Sequence, residues 1–422
     1  MASDTLRFVR KYWPLFLEFT ITLVAQRIKA FTHRFTYHLL PTCKNVVVLG
    51  GSFSGAFLAR RLGESLPSGY KVILIEKNSH FNFCFNFPRY SVVQGHEQNA
   101  FIPYDGLASG TPAGIFEIIR DTATGIRDEE VELASGKRIP FAYLAVATGA
   151  LQPPPARLLS SEKNEACAEL KALQDRIIGG KKIGIIGGGA VGVQLAGDIK
   201  SFYPDKHVVL IHSRDQLLPS FGVRLHKYVV DKLQDLGVEL MLGERPAIPS
   251  TGDGTGTDLV FPDGRKETFD VIVPCIGQIP NSSILDGFSP SSISPQTRRI
   301  LVESTLQLRN GEDPKSRELH NVFALGDVAE TDGYRMARSG AMQAEVVRGN
   351  IIALINDKEL EKYSPIAAEG GLKLSLGKDE YVMYVQDPDG TDFLIPGKSS
   401  KVDLEVEKGW KMFGAKFKKT SV

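Results

Sequence analysis

Two glycine-rich segments have the residue types and the position needed to bind the pyrophosphate of a dinucleotide. The first lies between an apolar run at residues 46–49 and a helical pattern that begins near Ala56. A glycine turn between a strand and a helix lets backbone N–H groups approach phosphate oxygens, and the helix N-terminus favours their negative charge. Its members are Gly50, Gly51, Ser52, Phe53, Ser54 and Gly55. Ser52 stands where the G-x-G-x-x-G fingerprint has its second glycine, a small departure.

A second glycine segment follows the apolar run at residues 183–186 and opens a helical pattern that continues to about Tyr203. It satisfies the fingerprint at all three positions. These are Gly187, Gly189 and Gly192. Two fingerprints in one chain indicate two bound dinucleotides, one held permanently and one that exchanges.

The strands that follow the two glycine segments end in different residues. The first ends at Glu76, whose carboxylate can accept hydrogen bonds from both ribose hydroxyls of a dinucleotide. The second ends at His212 and Arg214, with no acid that would repel a 2′-phosphate. The sequence therefore predicts that NADPH is accepted at least as well as NADH.

The elements that position these residues are strands and helices in alternation. Four continuous apolar runs, at residues 46–49, 71–75, 183–186 and 208–211, are typical of buried parallel strands. We expect an α/β fold with two Rossmann-like dinucleotide-binding domains. The first domain comprises residues 45–165 and 297–365, the second residues 166–296. Short alternating segments after residue 365 predict a small C-terminal α+β domain, residues 366–422, with an antiparallel sheet.

Composition excludes several functional classes. The chain has 422 residues and a net charge of +1 with no long basic run, so no specific nucleic-acid partner is expected. Its four cysteines are far apart, and no C-x-x-C or C-x-x-x-x-C pair indicates a zinc site, another metal site or a redox-active dithiol. Cys84 is interpreted as a packed thiol. Cysteine usage favours an intracellular, reducing compartment.

Residues 1–44 form an extension of different character. The apolar run at residues 12–25 contains Pro14 and Glu18 and is too short for a confident transmembrane span. As a helix from Pro14, it would carry one polar stripe on an apolar cylinder. The stripe consists of Glu18, Thr22, Gln26 and Lys29. Three interpretations remain open: an amphipathic helix in a membrane interface with contact through residues 8–31, a targeting segment, and a helix docked on the protein body.

Three further motifs match the flavoproteins that have two dinucleotide-binding domains. They are LAVATG at residues 144–149, VIVPCIG at residues 271–277 and NVFALGD at residues 321–327. The resemblance implies FAD in the first domain and NAD(P)H as an exchangeable co-substrate in the second. It also implies that Thr148 and Gly149 belong to the FAD site and Gly277 to the NAD(P)H site. In that superfamily the Gly-Asp pair places its carboxylate on the ribityl chain of FAD, which suggests this role for Asp327.

Within the superfamily the chain most resembles the AIF-like, mitochondrion-associated (AMID-like, or ferroptosis-suppressor-like) group. The resemblance covers roughly residues 45–410 and is strongest at residues 181–213, where IKSFYPDK and VLIHS carry it. By resemblance, Arg89 contacts FAD and the backbone of Thr124 meets its adenine side. Met336 and Ala337 begin a helix near the flavin ring, whose N-terminus could stabilise charge on the reduced flavin.

Two departures from the group matter. Gln194 replaces a common Glu after the second fingerprint, and its neutral amide can still bond a nicotinamide carboxamide. The chain begins Met1-Ala2, so the myristoylation glycine of some relatives is absent.

The expected function is FAD-dependent NAD(P)H oxidoreduction with hydride transfer at the flavin and no catalytic side chain. By resemblance, the acceptor is a quinone-like small molecule, and the protein is cytoplasmic or mitochondrion-associated, with peripheral membrane contact. Two alternatives stay open. One is a flavin-bearing signalling or scaffold protein with little turnover; the other is a type II NADH dehydrogenase, which predicts NADH preference and a C-terminal membrane helix.

Overall fold

The computed structural model describes residues 3–248, 256–309 and 319–417. Helices and strands alternate along most of this length. The α-helices in these ranges are α1 (Asp4–Thr36), α2 (Phe53–Gly63), α3 (Phe87–Tyr90), α4 (Lys163–Gly179), α5 (Ala190–Phe202), α6 (Val223–Asp235), α7 (Ala337–Ile355) and α8 (Val406–Met412).

The strands fall into several sheets. Those before the second glycine segment are β1 (Lys44–Leu49), β2 (Tyr70–Glu76), β3 (Phe81–Asn82), β4 (Phe101–Ile102), β5 (Phe116–Arg120), β6 (Ala123–Arg127), β7 (Glu130–Leu133), β8 (Arg138–Pro140), β9 (Tyr143–Val146), β10 (Ala150–Leu151) and β11 (Lys182–Ile186). Those after it are β12 (His207–His212), β13 (Glu239–Leu242), β14 (Thr257–Val260), β15 (Lys266–Phe269), β16 (Val271–Pro274), β17 (Ile279–Pro280), β18 (Ile300–Leu301), β19 (Val322–Ala324), β20 (Ala329–Glu330), β21 (Leu372–Ser375), β22 (Glu380–Gln386) and β23 (Asp392–Lys398).

The first glycine segment lies at the carboxyl edge of a five-stranded parallel sheet. Its strand order is β19-β9-β1-β2-β5, with β1 central. Residues 46–49 of β1 are almost fully buried, as the continuous apolar run predicts. The chain leaves this sheet after β9 and returns to it at β19, far along the sequence.

The second glycine segment lies at the carboxyl edge of a four-stranded parallel sheet with the order β13-β12-β11-β16. β11 pairs with β12 on one side and β16 on the other, all in parallel. The predicted α/β fold with parallel sheets is therefore confirmed.

The carboxyl edges of the two sheets are joined by a small antiparallel ribbon. β10, which follows β9 of the first sheet, pairs with β17, which follows β16 of the second, through Ala150↔Pro280 and Leu151↔Ile279. In parallel α/β sheets, ligands bind at the carboxyl edge. The ribbon therefore holds the two candidate dinucleotide sites close together.

The C-terminal part contains the expected antiparallel sheet, with the order β21-β22-β23. The sequence patterns predict the first two strands, and the structure adds β23. The segment after it is fixed to the first domain through Asp403, whose Oδ1 accepts hydrogen bonds from the Tyr90 hydroxyl at 2.7 Å and from Asn99 Nδ2 at 3.0 Å.

Helix α1 begins ten residues before the start predicted from Pro14. Ser3 caps it by accepting a hydrogen bond from the Leu6 N–H, and Pro14 lies inside it. The early turns form because Phe8 and Tyr12 pack against Phe393 of β23, with ring centroids 5.7 and 6.0 Å away. Within the described residues, no helix is both long and apolar enough to cross a membrane.

Candidate functional site

The first glycine turn depends on two glycines, because a larger residue at either position would force the backbone to shift. Gly50 has φ +96°, and a Cβ at Gly55 would lie 1.9 Å from the Gly50 carbonyl oxygen. This contact brings the start of α2 close against the end of β1. Ser52 is the N-cap residue of α2, and its side chain makes no capping bond. The first N–H groups of the helix therefore remain available to an anion.

Glu76 lies beside this turn, as the fingerprint predicts. Gly51 N–H donates to its Oε2 at 2.5 Å, and the backbone and side-chain amides of Asn78 donate to its Oε1 at 2.7 Å each. The hydroxyl of Tyr104 donates to the Gly51 carbonyl at 2.8 Å. A carboxylate has lone pairs beyond these bonds, so it can still accept from ribose hydroxyls.

Asp327 reaches the same turn from the other end of the chain. Gly326 has φ +74°, and a Cβ there would lie 2.7 Å from Ser54 Oγ; Gln343 Oε1 accepts from the Gly326 N–H at 2.8 Å. Burial raises the pKa of the Asp327 carboxyl, and the positive charges of Arg299 and Arg335 oppose this shift. Asp327 therefore directly follows a residue that packs against the turn.

Helix α7 begins where the sequence predicts it. Met336 is its N-cap residue and Ala337 its first residue. A Cβ at Gly340 would lie 2.0 Å from Ser54 Oγ, so α7 packs directly on the first glycine turn. Its N-terminus therefore lies on the same side of the sheet as the turn and Asp327.

The second glycine turn repeats the first. Gly187 has φ +125°, and a Cβ at Gly192 would lie 1.9 Å from its carbonyl oxygen. Gly189 is the N-cap residue of α5 and has open space around it. Like α2, α5 lacks a side-chain cap, which leaves its N-terminal N–H groups free to bind a pyrophosphate.

His212 and Arg214 lie at the carboxyl end of β12 but in different environments. The His212 ring packs under the second turn, 2.8 Å from where a Cβ at Gly188 would stand. Burial lowers the pKa of His212, and repulsion by Arg214 adds to the shift, which favours the neutral ring. Arg214 is exposed. Any attraction for a 2′-phosphate therefore depends on the charge of Arg214.

Thr148 and Gly149 tie the first site to the second. Thr148 Oγ1 donates to the Asn281 carbonyl at 2.7 Å, and the Asn281 N–H donates to the Gly149 carbonyl at 2.9 Å. Gly149 and Gly277 have φ values of +68° and +75°, with no atoms crowding the place of a Cβ. These bonds hold the carboxyl edges of β9 and β16 in register.

Arg89 is 1% exposed and pairs with Asp198 of α5, Nη2 to Oδ1, at 2.8 Å. The same Nη2 donates to the Gly377 carbonyl at 2.9 Å, so the guanidinium joins both domains and the C-terminal sheet. Its Nε and Nη1 atoms have no partner in the described part of the chain. The FAD contact implied by resemblance stays a prediction.

Gln194 and Thr124 make their described hydrogen bonds to residues outside the two glycine turns. Gln194 Nε2 donates to Ser375 Oγ of the C-terminal sheet at 3.1 Å. Thr124 is exposed at a bulge between β6 and β7, and its hydroxyl donates to the Glu132 carbonyl at 3.2 Å. Their predicted cofactor contacts stay predictions.

All four cysteines are free, and none forms a disulfide bond. Burial raises the pKa of the Cys84 thiol to about 12, and the negative charge of Asp327 contributes. Burial alone raises the pKa of Cys275 to about 12. Neither forms a thiolate at neutral pH, so the interpretation of Cys84 as a packed thiol fits the structure.

Comparison with known proteins adds to this geometry. Residues 44–346 match the pyridine nucleotide-disulphide oxidoreductase family. The chain belongs to this family. As a pyridine nucleotide-disulphide oxidoreductase without a paired dithiol, it departs from the chemistry in the family's name.

Curated relatives align over most of the chain. "Fe-regulated protein 8" of Mycosarcoma maydis is 34% identical over 397 residues, covering 87% of this chain and 94% of that protein. "Ferroptosis suppressor protein 1" of Homo sapiens is 27% identical over 384 residues, covering 87% and 95%. The sulfide:quinone oxidoreductase of Aquifex aeolicus has the same fold, with a TM-score of 0.68 at 17% identity over 88% of this chain and 92% of that one.

The residues present fit both nucleotides. Each site has a glycine cradle that a Cβ would fill and a helix N-terminus with free donors. Family membership and this geometry agree: the protein is a flavoprotein oxidoreductase that uses FAD with NAD(P)H as co-substrate. Mitochondrial association stays a prediction.

Four residues were missed by the sequence analysis. They are Asn78, Tyr104, Asp198 and Gln343, which contact Glu76, Gly51, Arg89 and Gly326. Asn78 could have been found from its position two residues after Glu76. The other three become neighbours only through tertiary packing.

Proposed function

We propose that the protein transfers electrons from NAD(P)H through FAD to a quinone-like small molecule. The observation that carries this proposal is the state of the cysteines. Two of the four have pKa values of about 12, and none is paired, so electrons have no dithiol route away from the flavin. They must leave the flavin directly for an external acceptor.

An aromatic cluster beside the first glycine turn favours a planar acceptor. Phe53, the residue after Ser52, lies 4.7 Å from Phe85 and 5.9 Å from Phe83 between ring centroids. Phe85 is 51% exposed, so the cluster is open to solvent. Offset or tilted stacking on such rings is available to a flat ring such as a quinone.

The chemistry divides simply between cofactor and protein. When bound, FAD accepts a hydride from NAD(P)H and passes the electrons on. The protein binds the two pyrophosphates at the starts of α2 and α5. Its Thr148–Asn281 bonds hold the two sites in one orientation, and orientation is the main requirement of hydride transfer.

Steady-state oxidation of NADPH with a short-chain quinone tests the proposal. The purified protein should be yellow, its flavin absorption should bleach on anaerobic addition of NADPH, and quinone should restore it. A rate no faster than that of free FAD would contradict the proposal and support the scaffold alternative. Strong NADH preference would support the type II dehydrogenase alternative, although the C-terminal region contains, as far as residue 417, a sheet and only a short α-helix.

Replacing Arg214 should separate the two reductants. In Arg214→Ala, KM for NADPH should rise about tenfold because a charge-assisted bond to the 2′-phosphate is lost, while KM for NADH stays nearly constant. Lys227→Ala removes the same charge from an exposed position of α6 and serves as the control. Equal effects of Arg214→Ala on both reductants would contradict this role.

A further inference from the structure

Helix α1 carries a large apolar surface that the described part of the chain leaves uncovered. Six of its side chains are between 49% and 70% exposed and recur at intervals of three, four and seven residues. They are Trp13, Leu17, Val24, Ile28, Phe31 and Phe35. At about 100° per residue these positions lie on one side of the helix. We call this side the outer face.

The opposite side of α1 faces the protein. Near the N-terminus, Phe8 and Tyr12 lie on it and pack against β23. Near the C-terminus, His33 lies on it and its Nε2 is 2.8 Å from the Leu66 carbonyl of the first domain. The polar stripe from Glu18 to Lys29 continues this inner face between the two contacts. Glu18, Thr22 and Lys29 are exposed and Gln26 is partly buried, so most of the stripe stays accessible to solvent on the inner side of the helix.

Both ends of α1 are bound to the protein body, and these contacts fix the rotation of the helix about its own axis. Asp387 accepts hydrogen bonds from Lys11 and from the Tyr12 hydroxyl. Just beyond the other end, the Tyr37 hydroxyl donates to the Tyr70 carbonyl at 2.9 Å, and Tyr37 is 7% exposed. Tyr12 and Tyr37 are separated by about 37 Å of chain at helical rise. Along this length the outer face is directed away from the body.

The charges of α1 match an anionic surface. From residue 4 to residue 36 the helix has six Lys or Arg residues and two Asp or Glu residues, an excess of four positive charges before histidine is counted. Arg10 lines a shallow cleft with Phe393, beside Arg7 and Lys11, which are paired with Asp4 and Asp387. Basic residues beside an apolar, aromatic-rich helix face are typical of helices that lie in a membrane interface.

A bilayer fits this surface better than a second copy of the chain does. Phe16, Ile21 and Leu23 are also exposed and widen the apolar arc to about 160° of the helix surface. A helix pair buries a narrow seam, whereas a lipid interface covers a wide arc. Trp13 and the phenylalanines are residue types that favour the headgroup region.

We propose that the outer face of α1 is a membrane-binding surface, which holds the protein on one leaflet of a bilayer that contains anionic lipid. The helix lies parallel to the membrane between the lipid and the protein body. This inference does not depend on the identity of the electron acceptor.

Co-sedimentation of the full-length flavoprotein with vesicles tests the proposal. Vesicles of phosphatidylcholine with about 30% phosphatidylserine should bind the wild-type protein, and high salt should weaken binding. Val24→Asp/Ile28→Asp should reduce the affinity at least about tenfold, because two charges enter the apolar region. Thr22→Asp/Gln26→Asp adds the same charges at the same spacing on the inner face. It should bind within about threefold of wild type.

Flavin absorbance and sedimentation velocity distinguish the outcomes. Equal flavin content in both variants shows that the fold is intact. No vesicle binding by the wild type, or equal binding by the two variants, would overturn the proposal. A wild-type dimer that Val24→Asp/Ile28→Asp dissociates, without vesicle binding, would identify a second copy as the partner instead.

Discussion

A Gly192→Ala protein should keep its bound flavin and yet be reduced by NADPH at least about a hundredfold more slowly than the wild type. The added Cβ would lie 1.9 Å from the Gly187 carbonyl oxygen and 3.5 Å from the Cys275 Cβ. Helix α5 must then move away from β11, and its N–H groups no longer meet the pyrophosphate. The first domain has its own turn at Gly50 and Gly55, so FAD binding should be unaffected.

The measurement is the rate of flavin bleaching in a stopped-flow instrument under anaerobic conditions. Gly179→Ala is the matched control, since Gly179 ends α4 with nothing near the place of its Cβ. The equivalent change in the first domain, Gly55→Ala, should instead prevent FAD binding and give a colourless protein. If NADPH bleached the flavin of Gly192→Ala at the wild-type rate, the close approach of α5 to β11 would not be needed for NADPH binding.

The second large effect is expected from Asp198→Ala, which should lower the free energy of unfolding by about 3–5 kcal/mol. Asp198 is 0% exposed, and it is the ion-pair partner of the buried Arg89. Without the carboxylate, the guanidinium stays inside the protein, where its described contacts are the Gly377 carbonyl and the Phe202 ring, whose centroid is 5.4 Å from Cζ. An uncompensated buried charge is the costly part of a broken ion pair.

Denaturant unfolding of the flavin-loaded protein measures this effect, with Asp205→Ala, an exposed acid just after α5, as control. The double variant Arg89→Met/Asp198→Leu removes both charges and should be more stable than Asp198→Ala alone. Similar losses in the single and double variants would contradict the ion-pair explanation. The flavin content of the double variant tests the FAD contact predicted for Arg89.

The parts of the fold that depend on local pattern could be predicted from the sequence. Continuous apolar runs predicted β1, β2, β11 and β12 to within two residues at each end, because each run is read from consecutive residues. The start of α1 could not be predicted in this way. It is fixed by Phe8 and Tyr12 on β23, whose residues lie more than 370 positions further along the chain.

The candidate site likewise contains residues that a local sequence pattern predicts and residues that only tertiary packing brings together. The glycine turns and Glu76 carry a local signal that their spacing makes specific. Asp198 has no such signal, since its partner Arg89 is far away in sequence and belongs to another domain. Likewise, nothing near Gln194 indicates that its amide bonds Ser375 of the C-terminal sheet.

The attachment of α1 to β23 has a practical consequence for anyone who would shorten the protein to improve its solubility. Deleting α1 would remove Phe8 and Tyr12 from their contact with Phe393 and expose the apolar side of the C-terminal sheet. It would also leave the carboxylate of Asp387, 7% exposed in the intact chain, without Lys11 and the Tyr12 hydroxyl. The shortened protein would lose the apolar outer face of α1 but expose a new apolar surface on the sheet. Polar replacements at Val24 and Ile28 would instead leave the contact between α1 and β23 intact.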